Sequence, residues 1–457
     1  MRPAHPDDTI AAVATPPGVG AVGIVRLSGP EAIAITASIF ASSSSVDLRR
    51  SRRRVFYGTL RDGVDEVLVH VMRAPHSYTR EDVVEINCHG GPLPVQETLA
   101  LVLGEGARLA EPGEFTRRAF MNGRIDLVQA EAVIDRIQSR TRAGLRAAAT
   151  AASGALSERI DTLHGEIVDS LAQAEAAVDM AEQDLPEDLL GTDWQTQLAA
   201  TRRAMQDLLD TAHAGRLLID GARLAIIGRP NVGKSSLFNA LLRDTRAIVT
   251  SQPGTTRDLL EETLNLEGIP VRLLDTAGMR EAEDEVERIG VDRARNALQQ
   301  ADLVLVVTDA TDPFTAEDLA IAQEAYALEV PLVLAVNKVD LAPDPPACPW
   351  DIPFAAVCPL SAQTGNGLHT LEIAMHAALT GGGAIAPEQA LITRTHQQDS
   401  LRRALAAIDR VLAHAELSPE LLAVDLQEAV QALGEITGET TPDDILGRIF
   451  SSFCIGK

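Results

Sequence analysis

The chain has 457 residues, 65 acidic against 40 basic side chains for a formal charge of −25, and 46% apolar residues. Its length makes about two to four domains, its apolar content excludes a disordered chain, and its charge excludes coating of nucleic acid by electrostatics alone. Four scattered cysteines (Cys88, Cys348, Cys358, Cys454) form neither a disulfide framework nor zinc-ligand spacing, no apolar run reaches the roughly 18 residues of a membrane helix, and the acidic start lacks a signal-peptide stretch, so a cytoplasmic protein without membrane contact is expected.

Residues 1–120 read as β-rich, with strands at 21–27 (AVGIVRL) and 66–72 (EVLVHVM) and a helix over 94–103. Glycine and proline turns at 16–20 and 90–94 break this region. From Ile125 the chain turns alanine-rich and helical, as in 127–137 and 170–182, and stays so to about residue 215. Residues 223–380 then alternate strands and helices. The runs 223–228, 271–275, 301–309 and 330–337 are short and almost wholly apolar, as in a parallel sheet covered on both faces. After the glycine-rich 380–388 the helical pattern returns. Ser418-Pro419-Glu420 supplies an N-cap, a first-turn proline and an early acid, and Leu422, Leu426, Ala429 and Leu433 mark one apolar helix face. The economical reading is an α/β block inserted into a helical domain: 1–121, 122–215, the insertion 216–380, and 381–457.

Within the insertion, 228–235 (GRPNVGKS) matches GxxxxGK[ST] after a strand and before a helix. Its glycines let backbone N–H groups curl around phosphates at a helix N-terminus. Lys234 reaches the β- and γ-phosphates and Ser235 ligates magnesium. Asn231, Val232, Gly233 and Ser236 complete the loop. Gly254-Thr255-Thr256 follows, with Thr256 as the second magnesium contact. Asp275-Thr276-Ala277-Gly278 ends an apolar strand, where Asp275 acts behind the metal and the Gly278 N–H senses the γ-phosphate. Asn337-Lys338-Val339-Asp340 ends another, and the Asp340 carboxylate accepts two N–H donors that guanine has and adenine lacks. Ser361-Ala362-Gln363 stands where a backbone N–H meets the guanine O6. Five elements in this order point to GTP and GDP.

Met279 follows Asp-Thr-Ala-Gly, and a thioether cannot orient the attacking water as a glutamine there does. The acids of 280–288 are the nearby alternatives, against the reading of a solvated acidic face. Asn231 has two readings: its side-chain carbonyl ligates a monovalent cation beside the phosphates, or it holds the turn.

With these elements, the sequence resembles the tRNA-modification GTPase family MnmE/TrmE from end to end. The carriers are 8–29 (DTIAAVATPPGVGAVGIVRLSG), 89–92 (HGGP), 111–133 (EPGEFTRRAFMNGRIDLVQAEAV), GRPNVGKSSLFNAL, GTTRD, DTAGMRE and the terminal TPDDILGRIFSSFCIGK. The resemblance implies a multidomain α/β protein. It has an N-terminal α+β domain like folate-binding enzymes, a helical central domain, and an inserted Ras-like P-loop G domain with a mostly parallel sheet. It implies a homodimer joined through the N-terminal domain, and a heterotetramer with a FAD-containing GidA/MnmG-type partner. Together these install an aminomethyl or carboxymethylaminomethyl group on C5 of the wobble uridine of certain tRNAs. A 5-formyl- or methylene-type tetrahydrofolate donates the one-carbon unit. It also implies potassium-stimulated hydrolysis when two G domains meet. By matching motif, potassium falls to Asn231, Thr250, Gln252 and Thr255, water orientation to Glu287, and folate to Arg26, Glu85, Arg124 and Lys457. The nucleotide-binding stretch includes Thr250, Ser251, Gln252 and Pro253, where the family usually reads Asp-Ile-Ala before GTTRD; Pro253 stiffens the loop.

Other signals carry less. Gly18-Val-Gly20-Ala-Val-Gly23 fits GxGxxG but precedes a strand rather than a helix, so these glycines make a turn. Cys454 is read either as a nucleophile or as a packing residue, and His89 as structural. Residues 117–146 hold seven arginines against three acids, a local site for tRNA within an acidic chain. The competing function is a GTPase switch in ribosome assembly. Such proteins append a compact basic domain, whereas this chain adds acidic helices.

Overall fold

The computed structural model describes residues 8–43, 47–50, 53–181, 192–244, 263–274, 299–344, 346–414 and 418–457. The first layer is a seven-stranded sheet of β1 (Ile10–Val13), β2 (Val22–Ser28), β3 (Phe40–Ser42), β4 (Arg53–Leu60), β5 (Glu66–Met72), β6 (Val83–His89) and β7 (Arg108–Leu109). They are ordered β3-β4-β5-β6-β2-β1-β7 and antiparallel except for β1 beside β7. Alternation along β5 sends Val67, Val69 and Val71 into a core shared with the helices Ala32–Ile39 and Pro92–Gly104. The opposite face leaves Val55, Tyr57 and Leu68 exposed. Gly18 and Gly20 of the GxGxxG string lie between β1 and β2, where the Gly20 N–H donates to the Gly90 carbonyl at 2.8 Å, whereas Gly23 is not in the turn but within β2, paired with Cys88.

The helical layer contains Leu127–Gln138, Arg142–Ala152, Ala155–Ala181, Thr192–Asp210 and Ala212–Ile219, then Thr395–Ala413, Pro419–Thr437 and Asp443–Ser451. Its core joins residues from both sides of the second sheet. Leu156, Ile160, Leu163 and Ile167, spaced one helical turn apart, bury themselves with Leu401, Leu405, Ile408, Leu422, Leu426, Ala429 and Leu433. Ser418 occupies the N-cap position before Pro419, but its hydroxyl makes no cap bond and serves the Glu420 carboxylate instead. Effective caps in this layer include Thr141, whose hydroxyl accepts from the Gly144 N–H at 3.0 Å, and Asp126, whose carboxylate accepts from the Gln129 N–H at 2.8 Å while the Gln129 side chain returns to the Asp126 N–H.

The second sheet has β8 (Ala222–Ile227), β9 (Thr263–Leu266), β10 (Ile269–Leu274), β11 (Leu303–Asp309), β12 (Leu332–Asn337) and β13 (Ala356–Pro359), ordered β13-β12-β11-β8-β10-β9. All pairings are parallel except the β9–β10 hairpin. Separate apolar clusters cover its two faces, and every residue of β12 is buried. Contacts from the helical layer fasten this sheet at its β9–β10 hairpin. Arg140 donates to the Thr263 hydroxyl at 2.7 Å, and the Thr141 hydroxyl to the Gly268 carbonyl at 2.7 Å. Within the helical layer the Arg394 guanidinium pairs with buried Asp135 and lies 3.5 Å from Asp220, while His396 and Gln397 meet buried Glu131 at 2.8 and 2.9 Å. Among the described residues no helix is long and apolar enough to cross a membrane.

Candidate functional site

The phosphate loop runs from the end of β8 into the helix Lys234–Asp244. Gly228 (φ +149°) and Gly233 (φ +98°) occupy backbone regions that L side chains rarely adopt. Both are also pressed close. A Cβ on Gly228 would stand 2.2 Å from the Val307 carbonyl oxygen, and one on Gly233 2.2 Å from Asn337 Nδ2. The same turn takes Asn231 to φ +64°, which asparagine tolerates better than most residues. Lys234 Nζ donates to the Gly228 and Arg229 carbonyls at 2.7 Å each, so the ammonium closes the loop on itself. Burial pulls the Lys234 ammonium below its ordinary pKa, which primes it for an anionic partner.

The loops expected to meet guanine brace this cradle. Buried Asn337 donates from Nδ2 to the Val232 carbonyl at 2.9 Å and accepts at Oδ1 from the Ala362 N–H at 2.9 Å. One side chain thus fixes the phosphate loop and the 361–363 segment together. The Val339 N–H reaches the Leu360 carbonyl at 3.2 Å. Ser361 is buried, whereas Asp340, Gln363, Ser235 and Ser236 are exposed at the rim. The expected residues Thr250, Ser251, Gln252, Pro253, Gly254, Thr255, Thr256, Asp275, Thr276, Ala277, Gly278 and Glu287 lie outside the described residues. Among the described residues no cluster of three His, Cys, Asp or Glu side chains is set to hold a metal. The expected magnesium donors are hydroxyl and phosphate oxygens, which need no such cluster.

A second constellation forms where the chain's end meets the first sheet. Register places Arg26 on β2 opposite Glu85 on β6, and they pair at 2.8 Å with 15% and 20% of their side chains exposed. Arg26 also donates to the Gly456 carbonyl at 3.2 Å, across 430 positions of sequence. Its guanidinium carbon stands 5.7 Å from the ring centres of Tyr78 and Phe115, while that of Arg124 stands 4.7 Å above Tyr78. The Tyr78 hydroxyl is fixed by Thr116 at 2.9 Å.

The tail reaches this place because the helix Asp443–Ser451 buries Phe450, with Phe453 just beyond, against Leu127, Ala130 and Ile134. The Gly113 N–H then donates to the Cys454 carbonyl at 3.4 Å. Gly456 (φ +91°) lies so tightly on β1 that a Cβ would come within 2.3 Å of the Val13 carbonyl oxygen. Burial and the Arg26 charge hold the Lys457 ammonium below its ordinary pKa, against the pull of Glu85 and Cys454. The structure therefore brings Arg26, Glu85, Arg124 and Lys457 to one place. Cys454 is exposed at its edge. His89 is exposed and holds Asp65 through Nδ1 at 2.6 Å.

Sequence reasoning missed Tyr78, Phe115 and the Gly456 carbonyl, none of which stands in a recognisable spacing. It also missed the carboxylates behind the phosphate loop. Arg229 meets Asp318 at 2.8 Å and Asp312 at 3.2 Å. Asp318 completes a capping box with Thr315, and the string Thr315-Ala-Glu-Asp318 carried that signal.

A glycine-rich loop between a parallel strand and a helix, braced by an Asn-Lys-x-Asp loop, defines a nucleotide-binding G domain carried on a helical body with a separate N-terminal sheet. A family model described as the MnmE helical domain matches residues 127–454, and one described as the GTP-binding protein TrmE N-terminus matches 9–124. The tRNA modification GTPase MnmE of Chloroflexus aurantiacus is 49% identical over 458 residues, 99% of this chain and 100% of that one. Its namesake from Alkaliphilus oremlandii is 45% identical over 461 residues, 99% of each. Among solved structures, the G domain of the T. maritima FeoB iron transporter is 28% identical over 34% of this chain and 98% of that one, with a TM-score of 0.25. The chain belongs to the MnmE/TrmE family of tRNA-modification GTPases.

Proposed function

We propose that the protein hydrolyses GTP and couples that hydrolysis to modification of the wobble uridine of certain tRNAs at C5, adding an aminomethyl or carboxymethylaminomethyl group. The observation that carries this reading is the convergence of Arg26, Glu85, Arg124 and Lys457 beside Tyr78 on a chain that also holds a preformed phosphate loop. Segment 1–121 binds folate and joins the homodimer, 122–215 and 381–457 form the helical body, and 216–380 binds nucleotide.

At the nucleotide, N–H groups at the start of the helix Lys234–Asp244 receive the phosphates. Lys234 exchanges its two loop carbonyls for phosphate oxygens, and Asp340 reads the guanine edge. Ser235 and Thr256 hold Mg2+, which neutralises charge on the transferring phosphate. Asn231, Thr250, Gln252 and Thr255 hold K+, and Glu287 orients the water. At the second centre, a carboxylate between cations and beside an aromatic ring suits a flat heterocycle with N–H donors and an anionic tail. Glu85 takes the donors, and Arg26, Arg124 and Lys457 take the ring face and the tail. A bound 5-formyl- or methylene-type tetrahydrofolate supplies the one-carbon unit. Cys454 stands at the edge of that centre, and Arg136, Arg142 and Arg146, exposed on the helical layer, meet tRNA phosphates. The partner is a FAD-containing protein of the GidA/MnmG type in a cytoplasmic heterotetramer.

Mass analysis of tRNA nucleosides from a deletion strain tests the function: the C5 modification is expected to vanish, and unchanged wobble uridines would sink the reading. GTP hydrolysis is expected to run at least tenfold faster in potassium than in sodium; equal rates would remove the cation from it.

A further inference from the structure

The loops of the nucleotide site are braced by a segment outside every motif that recognises GTP. β11 ends at Asp309, in register with Asn337 at the end of β12. The Ala310 N–H donates to the Asn337 carbonyl at 2.7 Å, so the two strand ends are joined. Asp309 Oδ1 accepts from both the N–H and the hydroxyl of Thr311, at 2.9 and 2.7 Å. Its Oδ2 is left for the Lys338 ammonium, at 2.5 Å. The same ammonium donates to the Asn231 carbonyl of the phosphate loop at 2.8 Å. Lys338 has φ +69°, a conformation costly for a side chain of its kind, so its contacts hold the backbone that leads into Asp340. Burial works against the Asp309 charge, but Lys338 and Thr311 keep its carboxyl below the ordinary range.

We propose that Asp309 is a positioning residue for guanine-nucleotide binding: it orients Lys338, which ties the base-recognition loop to the phosphate loop at Asn231. A lysine ammonium is a mobile, strongly hydrated charge on a four-carbon stem. Held by one loop carbonyl alone it would spend much of its time in water. A charge-assisted bond to a carboxylate that is itself fixed by two Thr311 donors removes that freedom before nucleotide arrives. The geometry also separates Asp309 from its neighbours: Asp312 and Asp318 take Arg229 instead. The inference rests on the guanine-nucleotide reading and extends it to a residue that does not touch the ligand.

Titration of the full-length protein with fluorescent GDP tests it, using wild type, Asp309→Asn, Lys338→Met and the double variant. Asp309→Asn is expected to weaken GDP about tenfold, mainly through faster release, and Lys338→Met by a similar factor. The double variant is expected to be no weaker than Lys338→Met, because the carboxylate acts through that lysine. Losses that multiply would overturn the proposal, as would an Asp309→Asn protein within twofold of wild type. Thr311→Val keeps the charge and the backbone donor but removes the hydroxyl that holds the Asp309 carboxylate. It is expected to weaken GDP about threefold and serves if Asp309→Asn lowers the thermal midpoint; unchanged binding by a folded Thr311→Val protein also overturns the proposal. Wild-type protein that fails to bind GDP overturns the guanine reading and this inference together, whereas a bound wild type with an indifferent Asp309→Asn overturns this inference alone.

Discussion

The two sites of this molecule are built in opposite ways. The phosphate loop is contiguous, and its glycines, Asn231 and Lys234 lie within six positions of one another. Its geometry follows from local backbone chemistry, with Asn337 and Lys338 as long-range braces. The Arg26 centre has no contiguous core: it joins β2, β6, the residues around Phe115 and the last residues of the chain, and its central contact spans 430 positions. A contiguous site survives changes elsewhere in the fold. An assembled one depends on every element that delivers a residue to it.

That contrast can be broken by experiment. The largest effect is expected from Lys234→Ala, which removes the loop's ammonium: GTP hydrolysis should fall on the order of 10²–10³-fold while tetrahydrofolate binding, read by calorimetry, stays within twofold. A parallel loss of folate binding would mean that the sites are not separable. Next, Gly456→Val places a side chain against the Val13 carbonyl at a left-handed φ. It should displace the tail and weaken tetrahydrofolate binding about 10²-fold, with GTP hydrolysis nearly unchanged. Unaltered folate binding would remove the tail from that centre. Glu85→Gln, which keeps the shape but loses the charge paired with Arg26, should cost about tenfold in the same assay; a twofold loss or less would demote the pair to scaffolding.

A smaller effect concerns the clamp inside the helical layer that carries both sites. Asp135 is buried, and burial, with repulsion from Glu131 and Asp220 and partial relief from Arg394, pushes its pKa to about 6. The unfolded chain releases that proton near pH 4, so between pH 4 and 6 the native state binds more protons than the unfolded state. Its contribution to stability is therefore greatest below pH 4 and falls as pH rises to 6, by about 1 kcal/mol per pH unit. Asp135→Asn should flatten that dependence in urea titrations at pH 4, 5 and 6. An unchanged slope would place the titration elsewhere.

Legibility followed the same division. Strands buried on both faces, such as β11 and β12, stood out because their apolar runs are nearly unbroken. The four-residue β9 and the edge strand β13 did not, since β13 buries only Cys358 fully and neither is long enough to show a period. Ser418 shows the limit of local signals: its sequence is that of a cap, yet its hydroxyl serves Glu420. Asp309 was invisible for a different reason. It closes an apolar run like many strand-terminal acids, and only the register with Asn337 brings it to Lys338.

By itself, then, the sequence determined what short-range chemistry controls: the glycine-rich loop between β8 and its helix, the inserted α/β pattern and the apolar faces of the long helices. Backbone conformation and helix periodicity act over a few residues, so they can be read from a string. Tertiary structure alone decided that the last residues of the chain lie on β1, that Tyr78 and Phe115 face Arg26, and that Asp309 and Asp318 stand behind the phosphate loop. Those contacts depend on strand register and on two phenylalanines, Phe450 and Phe453, finding a small core against the helix Leu127–Gln138. No residue announces such a partner in advance, because the partner exists only once the layers have packed.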